Sequence, residues 1–373
     1  MKLLVIADDI TGAAEMAGLA LEYGCRVRFT TSSDHLDDDA DVVVLATDTR
    51  SMPQEEAVAA TAALVGPVQR LLQAGVRIFK KTDSALRGHI VAELQALMQA
   101  GFDRTLLLPA NPSKGRCITD GHYRIDGVPI DRTLFRTDPE FPAVTDDVVT
   151  LLGGDVHYLT PTTAQIETGI SIGESSAYEA FVARFDAPSL LWAGAADAFG
   201  VLLRSLGYVR QPLPPFAGLS EQPTLIVFGS TARHDLSAEP FFRRRRVAEV
   251  PMPDAVFDGG PSAVWTEACR AAATNSDALL LRIPQQVQVD RAKARHLRTA
   301  MAETIAAWVR TNPPAELVIE GGATAYAILN ELNWSEFTVT NQIAPGVVRL
   351  YCPAAGVHLI FKPGSYPWGT TFA

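Results

Sequence analysis

Two adjacent carboxylates close the first apolar run of this chain: Leu3-Leu4-Val5-Ile6 leads into Asp8-Asp9-Ile10-Thr11-Gly12. Gly12 permits a tight turn and Thr11 can cap a following helix, but neither explains two carboxylates at one strand end. Besides an N-cap with a solvated neighbour, the pair suits the binding of sugar hydroxyls or the removal of a proton from one. A second apolar run, Val42 to Leu45, leads to Thr47-Asp48-Thr49-Arg50, where Arg50 offers a planar fork for bidentate grip on a carboxylate. A third, Val76 to Phe79, is followed by Lys80-Lys81-Thr82-Asp83-Ser84-Ala85-Leu86-Arg87-Gly88, which puts Lys81, Asp83, Ser84 and Arg87 in one loop. Cations beside an aspartate and a hydroxyl fit a polyhydroxy anion, with or without an incoming phosphoryl group. A fourth, Thr105 to Leu108, runs into Pro109-Ala110-Asn111-Pro112-Ser113-Lys114-Gly115-Arg116, then Gly121-His122-Tyr123 and Gly127-Val128-Pro129. A stretch this rich in Gly, Pro and polar groups reads as a lid, a substrate wall or an ordinary long connection.

The second half repeats the arrangement with shorter, glycine-rich turns. Val227-Phe228-Gly229-Ser230-Thr231-Ala232 leaves one apolar run, and Ile319-Glu320-Gly321-Gly322-Ala323-Thr324-Ala325 joins another to a helix-like stretch from Tyr326 to Leu332. A strand, a glycine pair and a helix let backbone N–H groups approach a phosphate at the helix N-terminus. A glycine pair in an ordinary turn is the plainer reading. The last apolar run, Val357 to Phe361, ends in Lys362-Pro363-Gly364, which would bring a cation toward a phosphate. The chain carries neither a G-x-x-x-x-G-K-[ST] loop nor a G-x-G-x-x-G after its first strand. A nucleotide, if bound here, would be held by another scheme, and a nicotinamide-dependent dehydrogenase is disfavoured.

These turns need a scaffold that ends several strands at one level. The apolar runs named above, with Thr224 to Phe228, Ala278 to Leu281 and Leu317 to Ile319, are continuous rather than alternating. Between them lie Ala- and Leu-rich stretches at Ala13 to Tyr23, Glu55 to Gln73, Ile90 to Gln99 and Arg291 to Val309. Strands hydrophobic on both faces that alternate with helices predict an α/β chain with mostly parallel sheets flanked by helices. In such sheets ligands bind at the carboxyl ends of the strands. The length, 373 residues, suits two domains at roughly 150 residues each. Gln211-Pro212-Leu213-Pro214-Pro215-Phe216 is the linker signal, because proline fixes φ and lacks an N–H, and the boundary is expected at residues 211–223.

Composition narrows the classes. The net charge of −10 argues against nonspecific nucleic-acid binding, which draws on excess Lys and Arg. Neither a signal peptide nor an apolar run of membrane-spanning length is legible, so a soluble, cytoplasmic protein is expected. The four cysteines have no C-x-x-C spacing and the seven histidines are scattered; buried thiols in a reducing compartment and no structural metal site are expected. Arg243-Arg244-Arg245-Arg246 reads as a solvated basic face.

The combination of ADDITGA, DTRS, KKTDSALRGHI and LPANPSKGR…GHY…GVPI resembles the four-carbon acid sugar kinase family, and FGSTA, EGGATAYAIL, IAPGV and FKPG resemble the nucleotide-binding half of that family. The resemblance implies an acid-sugar-binding domain over residues 1–212, a nucleotide-binding domain over 220–373 and an active site in the cleft between them. It implies ATP and Mg²⁺ as cofactors and a threonate, erythronate or 3-oxo-tetronate type substrate. It also implies substrate contacts from Asp8, Asp9, Arg50, Lys81, Asp83, Ser84 and Arg87, with Asp9 or Asp83 as the base, Arg87 at the reacting group and Arg50 on the substrate carboxylate. Nucleotide contacts are implied for Ser230, Gly321, Gly322, Thr324, Lys362 and Gly364. The nucleotide half departs from the family pattern at Thr231-Ala232-Arg233, Ala323-Thr324-Ala325 and Tyr366-Pro367-Trp368. A sugar-acid-binding protein with a degenerate ATP site is therefore the alternative. A homo-oligomer is compatible with the sequence.

Overall fold

Short apolar runs become strands of a parallel sheet when helices cover both faces, and the computed structural model carries out that pattern twice. It describes residues 1–36, 39–230, 235–284, 291–364 and 366–373. The chain divides into two compact units, Met1–Gln211 and Pro212–Ala373. Among the described residues no helix is long and apolar enough to cross a membrane.

The first unit runs β1 (Leu3–Ala7), α1 (Ile10–Glu22), β2 (Val27–Thr30), β3 (Val42–Ala46), α2 (Gln54–Ala62), α3 (Val65–Gln73), β4 (Arg77–Lys81), α4 (Ile90–Met98) and β5 (Arg104–Leu108). It continues through β6 (Arg116–Thr119), β7 (His122–Ile125), β8 (Val128–Pro129), α5 (Val148–Leu151), β9 (His157–Leu159), β10 (Gly169–Gly173), α6 (Tyr178–Phe185), β11 (Leu190–Gly194) and α7 (Ala196–Ser205). The main sheet has the order β2-β3-β1-β4-β11-β5-β10-β9 with every pairing parallel. The chain winds from β1 toward β3 and then crosses back to β4, so the topological switch falls between β1 and β4. Register sets Ala46, Ala7 and Lys81 side by side, which ends three strands at one level. Strands β6, β7 and β8 form a separate antiparallel sheet. The helix expected over Glu55 to Gln73 is broken into α2 and α3.

The second unit contains β12 (Thr224–Phe228), α8 (Pro240–Arg244), β13 (Val247–Pro251), α9 (Asp254–Phe257), α10 (Ala263–Ala273), β14 (Ala278–Arg282) and α11 (Arg291–Thr311). Then come β15 (Glu316–Glu320), α12 (Gly322–Leu332), β16 (Glu336–Ala344), β17 (Val347–Cys352) and β18 (Val357–Lys362). Its order is β13-β14-β12-β15-β18-β17-β16, parallel from β13 to β18 and antiparallel beyond. The switch falls between β12 and β15. The arginine run is used for tethering as well as solvation: Arg245 donates to the carbonyls of Glu221, Gln222 and Asp277, and Arg246 pairs with Asp277.

Successive residues of a strand face opposite sides, and this separates Lys80 from Lys81. Lys80 pairs with Glu93 of α4 at 2.6 Å, both side chains 2% exposed. Breaking one side of such a pair costs about 3–5 kcal/mol, whereas replacing both partners by apolar groups can be neutral. Glu93→Gln is therefore expected to lower the stability of the first unit by that amount in denaturant titration, and Lys80→Met with Glu93→Leu is expected to restore most of it.

Candidate active site

The carboxyl ends of β1, β3 and β4 meet in one ionic cluster with Arg50 at its centre. Arg50 Nε donates to Asp8 Oδ2 at 2.8 Å, and Nη2 donates to Asp8 Oδ1 at 2.8 Å and to Asp9 Oδ1 at 2.6 Å. Nη1 lies 3.6 Å from Asp83 Oδ1 and makes no hydrogen bond among the described residues. Asp9 also caps α1, accepting from Gly12 N at 3.0 Å and from the Thr11 hydroxyl. Asp83 accepts from Arg87 Nε and Nη2, both at 3.0 Å, and from the backbone N–H groups of Ala85 and Arg87. Gly88, at φ 95°, passes so close that a Cβ would stand 3.3 Å from Asp8 Oδ2 and 3.4 Å from Arg50 Cγ. A side chain there would press on the Asp8–Arg50 pair.

Electrostatics follow from burial and partners. Burial alone would raise the Asp8 carboxyl, but the Arg50 guanidinium, by charge and by hydrogen bond, with Lys80 and Lys81 beyond it, holds it below the usual carboxylate range. Burial of Asp83 is likewise overridden, by Arg50, Arg87 and Lys81, and its carboxyl is held far below that range. Burial opposes the charge on Arg50, yet Asp8, Asp9 and Asp83 raise it well above an ordinary guanidinium. All these groups are charged at neutral pH.

The structure shows how two of the cations named from the sequence are paired. The Nε–Nη2 edge of Arg50 is taken by Asp8, which leaves Nη1 as the donor with no hydrogen bond among the described residues. Arg87 is similarly committed, to Asp83 on one edge and to Asp138 at 3.3 Å on the other. Lys81 differs: it is 3% exposed, its Nζ donates to the Thr82 carbonyl at 2.7 Å, and it has no carboxylate within 4.0 Å among the described residues. Ser84 stands beside the small antiparallel sheet, where the buried Tyr123 hydroxyl donates to its carbonyl and Arg116 donates to its hydroxyl. The stretch after β5 is thus a wall beside the Lys81–Arg87 loop. Asp138 and Phe135, in a 3₁₀ turn region at residues 134–138, also reach Arg87. Nothing in their sequence spacing separates them from surface residues.

In the second unit Phe228, Glu320 and Lys362 are neighbours in register. The residues beyond them converge: Ser230 donates to Glu320 Oε1, and a Cβ on Gly364 would stand 3.6 Å from Ser230 Cβ. Gly321 takes φ 101° as the N-cap of α12 with no side-chain cap. Among the described residues the N–H groups of Gly322, Ala323 and Thr324 have no cap at the helix start. Thr324 lies against Gly229, where a Cβ would meet Thr324 Oγ1 at 2.0 Å, so only glycine fits. Lys362 is likewise paired within the chain. Its side chain is fully buried, 3.1 Å from Glu320, donates to the carbonyls of Pro363, Gly364 and Tyr366 and lies over the Trp368 ring. Its ammonium holds the closing loop through these carbonyls. Thr231-Ala232-Arg233 and Ser365 lie outside the described residues.

Two family models match the chain: a sugar-binding N-terminal domain over residues 3–182 and a nucleotide-binding C-terminal domain over residues 252–366. Fold and matches together define a two-unit protein with a sugar-binding and a nucleotide-binding half. The chain belongs to the four-carbon acid sugar kinase family. It is 29% identical to a D-threonate kinase of Salmonella typhimurium over 253 residues, 66% of this chain and 56% of that protein. It is 28% identical to a D-threonate kinase of Bordetella bronchiseptica over 393 residues, 97% of this chain and 93% of that protein. A 3-oxo-tetronate kinase of Brucella melitensis is 32% identical over 157 residues, 41% of this chain and 36% of that protein. The chain thus spans little more than half of the Salmonella protein and nearly all of the Bordetella one. The crystal structure of a Haemophilus influenzae protein shares the fold, with a TM-score of 0.71 at 19% identity over 99% of this chain and 98% of that one.

Two outcomes follow from this geometry. The folded-state carboxyl of Asp83 titrates below its unfolded value near 3.8, so its contribution is complete above that value and is lost as pH falls toward the folded one. Thermal unfolding from pH 7 to 2 should show a steep loss below about pH 4 that is shallower in Asp83→Asn, whose neutral-pH stability is already reduced. Lys362→Met leaves Glu320 buried without its counter-ion, and is expected to destabilise the second unit by about 3–5 kcal/mol. A stable Lys362→Met variant that only weakened nucleotide binding would restore Lys362 as a phosphate contact.

Proposed function

We propose that this chain is a cytoplasmic kinase that transfers the γ-phosphoryl group of ATP to a hydroxyl of a four-carbon acid sugar of the threonate, erythronate or 3-oxo-tetronate type. The observation that carries the reading is the cluster at the β1, β3 and β4 ends. It sets carboxylates for sugar hydroxyls around Arg50 and keeps the Lys81 ammonium beside them, with no carboxylate within 4.0 Å of it among the described residues. The names of the relatives, D-threonate kinase and 3-oxo-tetronate kinase, support the substrate class.

Phosphoryl transfer needs positioning and charge neutralisation more than covalent help. On this reading Asp8 and Asp9 receive substrate hydroxyls, Arg50 holds both carboxylates in place, and Ser84 and Lys81 donate to substrate oxygens. Arg87 keeps Asp83 fixed and with it the turn of the Lys81–Arg87 loop. Asp9 is the better base of the two aspartates. Both oxygens of Asp83 take charged donors and its carboxyl is held far below the usual range, and such a carboxylate has little drive to take a proton. Among the described residues Asp9 Oδ2 accepts from the Thr11 hydroxyl alone.

On the donor side, the uncapped start of α12 and the glycines at 321, 322 and 364 would receive the ATP phosphates through backbone N–H groups. Ser230 and Thr324 line the same turn. Among the described residues no group of three or more His, Cys, Asp or Glu side chains is arranged to hold a metal ion. Charge neutralisation by Mg²⁺ would therefore come with the triphosphate oxygens that carry it.

The test is ADP release with a panel of four-carbon sugar acids, run beside calorimetry with ATP–Mg²⁺. Turnover with at least one acid is expected. Tetronate binding with no ATP binding and no ADP would replace this reading by that of a sugar-acid-binding protein. Asp9→Asn is expected to lower kcat about 10²- to 10⁴-fold with substrate affinity nearly kept, whereas Asp83→Asn should chiefly raise KM. Full turnover in Asp9→Asn would remove Asp9 as the base.

A further inference from the structure

With Arg50 and Arg87 committed to the chain's own aspartates, the substrate carboxylate needs another partner. Of the cations around the Lys81–Arg87 loop, Lys80 pairs with Glu93, Lys114 pairs with Glu15, and Arg87 pairs with Asp83 and Asp138. Two remain with no carboxylate within 4.0 Å among the described residues: Lys81 and Arg116. Lys81 is a compact ammonium at the buried end of β4, under the first turn of α1, where a Cβ on Gly12 would stand 3.1 Å from its Nζ. Arg116 is a planar fork at the start of β6, only partly buried.

Two contacts fix Arg116 and leave its Nε and Nη2 open. Its guanidinium lies over the Phe135 ring at 5.5 Å, and Arg87 lies over the same ring at 5.4 Å. Both guanidinium groups are within cation–π distance of that ring. Nη1 donates to the Ser84 hydroxyl. Nε and Nη2 make no hydrogen bond among the described residues. Because the Ser84 oxygen receives the Arg116 N–H, the Ser84 proton is turned away from Arg116 and is available to a ligand oxygen.

We infer that Arg116 is the substrate-binding residue for the carboxylate of the acid sugar, with Ser84 as the adjoining donor, and that acid is distinguished from neutral sugar here rather than at Arg50. The inference rests on the proposed acid-sugar substrate. Its chemistry is that of a carboxylate meeting a rigid, ring-stacked guanidinium, the geometry in which arginine outperforms lysine.

The test is calorimetry on the full chain without nucleotide, with D-threonate and its neutral amide as probes. The native chain should prefer the acid. Arg116→Gln should weaken the acid about 10- to 100-fold, leave the amide within a few-fold, and so erase the preference, while Arg116→Lys keeps part of it. Ser84→Ala removes the shared hydrogen bond without touching the charge, and should weaken both probes alike and keep the preference. Retention of the native preference in folded Arg116→Gln, or equal behaviour of Arg116→Gln and Ser84→Ala on both probes, would overturn the assignment. If the native chain binds the acid but releases no ADP with it, the kinase reading fails and Arg116 is still decided by these ratios. If the native chain binds no four-carbon acid, both fall.

Discussion

A single guanidinium holds the first unit's site together. Arg50 leaves the end of β3, crosses the end of β1 and reaches toward the loop after β4, touching Asp8 and Asp9 and approaching Asp83 on the way. Three carboxylates at the ends of adjacent parallel strands would repel one another and pay heavily for burial. With Arg50 among them, Asp8 and Asp83 stay ionised and Asp8 and Asp9 are held in position by its hydrogen bonds. The level ending of Ala46, Ala7 and Lys81 makes the arrangement geometrically available, and Gly88 leaves room for it. Arg87 repeats the device one layer out by clamping Asp83. The consequence is a site whose charges are largely spent on one another; among the described residues the donors left open lie on Arg50 Nη1, Lys81, Ser84 and Arg116, and these would set what it selects.

The second unit meets the same requirement differently. Its level strand ends, Phe228, Glu320 and Lys362, bury the Glu320–Lys362 ion pair. Lys362 neutralises Glu320 and gathers three carbonyls of the following loop. What faces outward is backbone: the uncapped first turn of α12 and the close approach of Gly229 to Thr324. Backbone N–H groups suit the phosphates of a nucleotide, whereas paired side-chain charges suit a small polyhydroxy acid. The two halves thus divide by chemistry as they divide by fold.

Much of this was readable from residues alone. Buried parallel strands announce themselves as continuous Val, Ile and Leu runs, and the polar residues directly after β1, β3 and β4 have few structural reasons to be there. Strands such as β2, β9 and β11 are short or interrupted by Gly, His and Trp, and their place is set by register with neighbours rather than by their own pattern. The state of each charge was not readable. Lys80 and Lys81 look alike in sequence and face opposite sides of the sheet. Arg50 and Arg87 look open until their aspartates are placed, and Lys362 looks like a phosphate contact until its burial is known. Phe135 and Asp138 join the site only because the wall after β5 folds back upon Arg87. Sequence spacing marks where polar groups gather; which of them remain unspent is a property of packing.

The central claim is that phosphorus moves from ATP to a sugar-acid hydroxyl on this chain. Phosphorus NMR of the full-length protein with ATP, Mg²⁺ and D-threonate or erythronate follows that atom directly. The account predicts loss of the γ-phosphate signal matched by a new phosphomonoester resonance coupled to a carbon-bound sugar proton, together with ADP. ATP turning over only to inorganic phosphate, or remaining unchanged with every four-carbon acid, would contradict it.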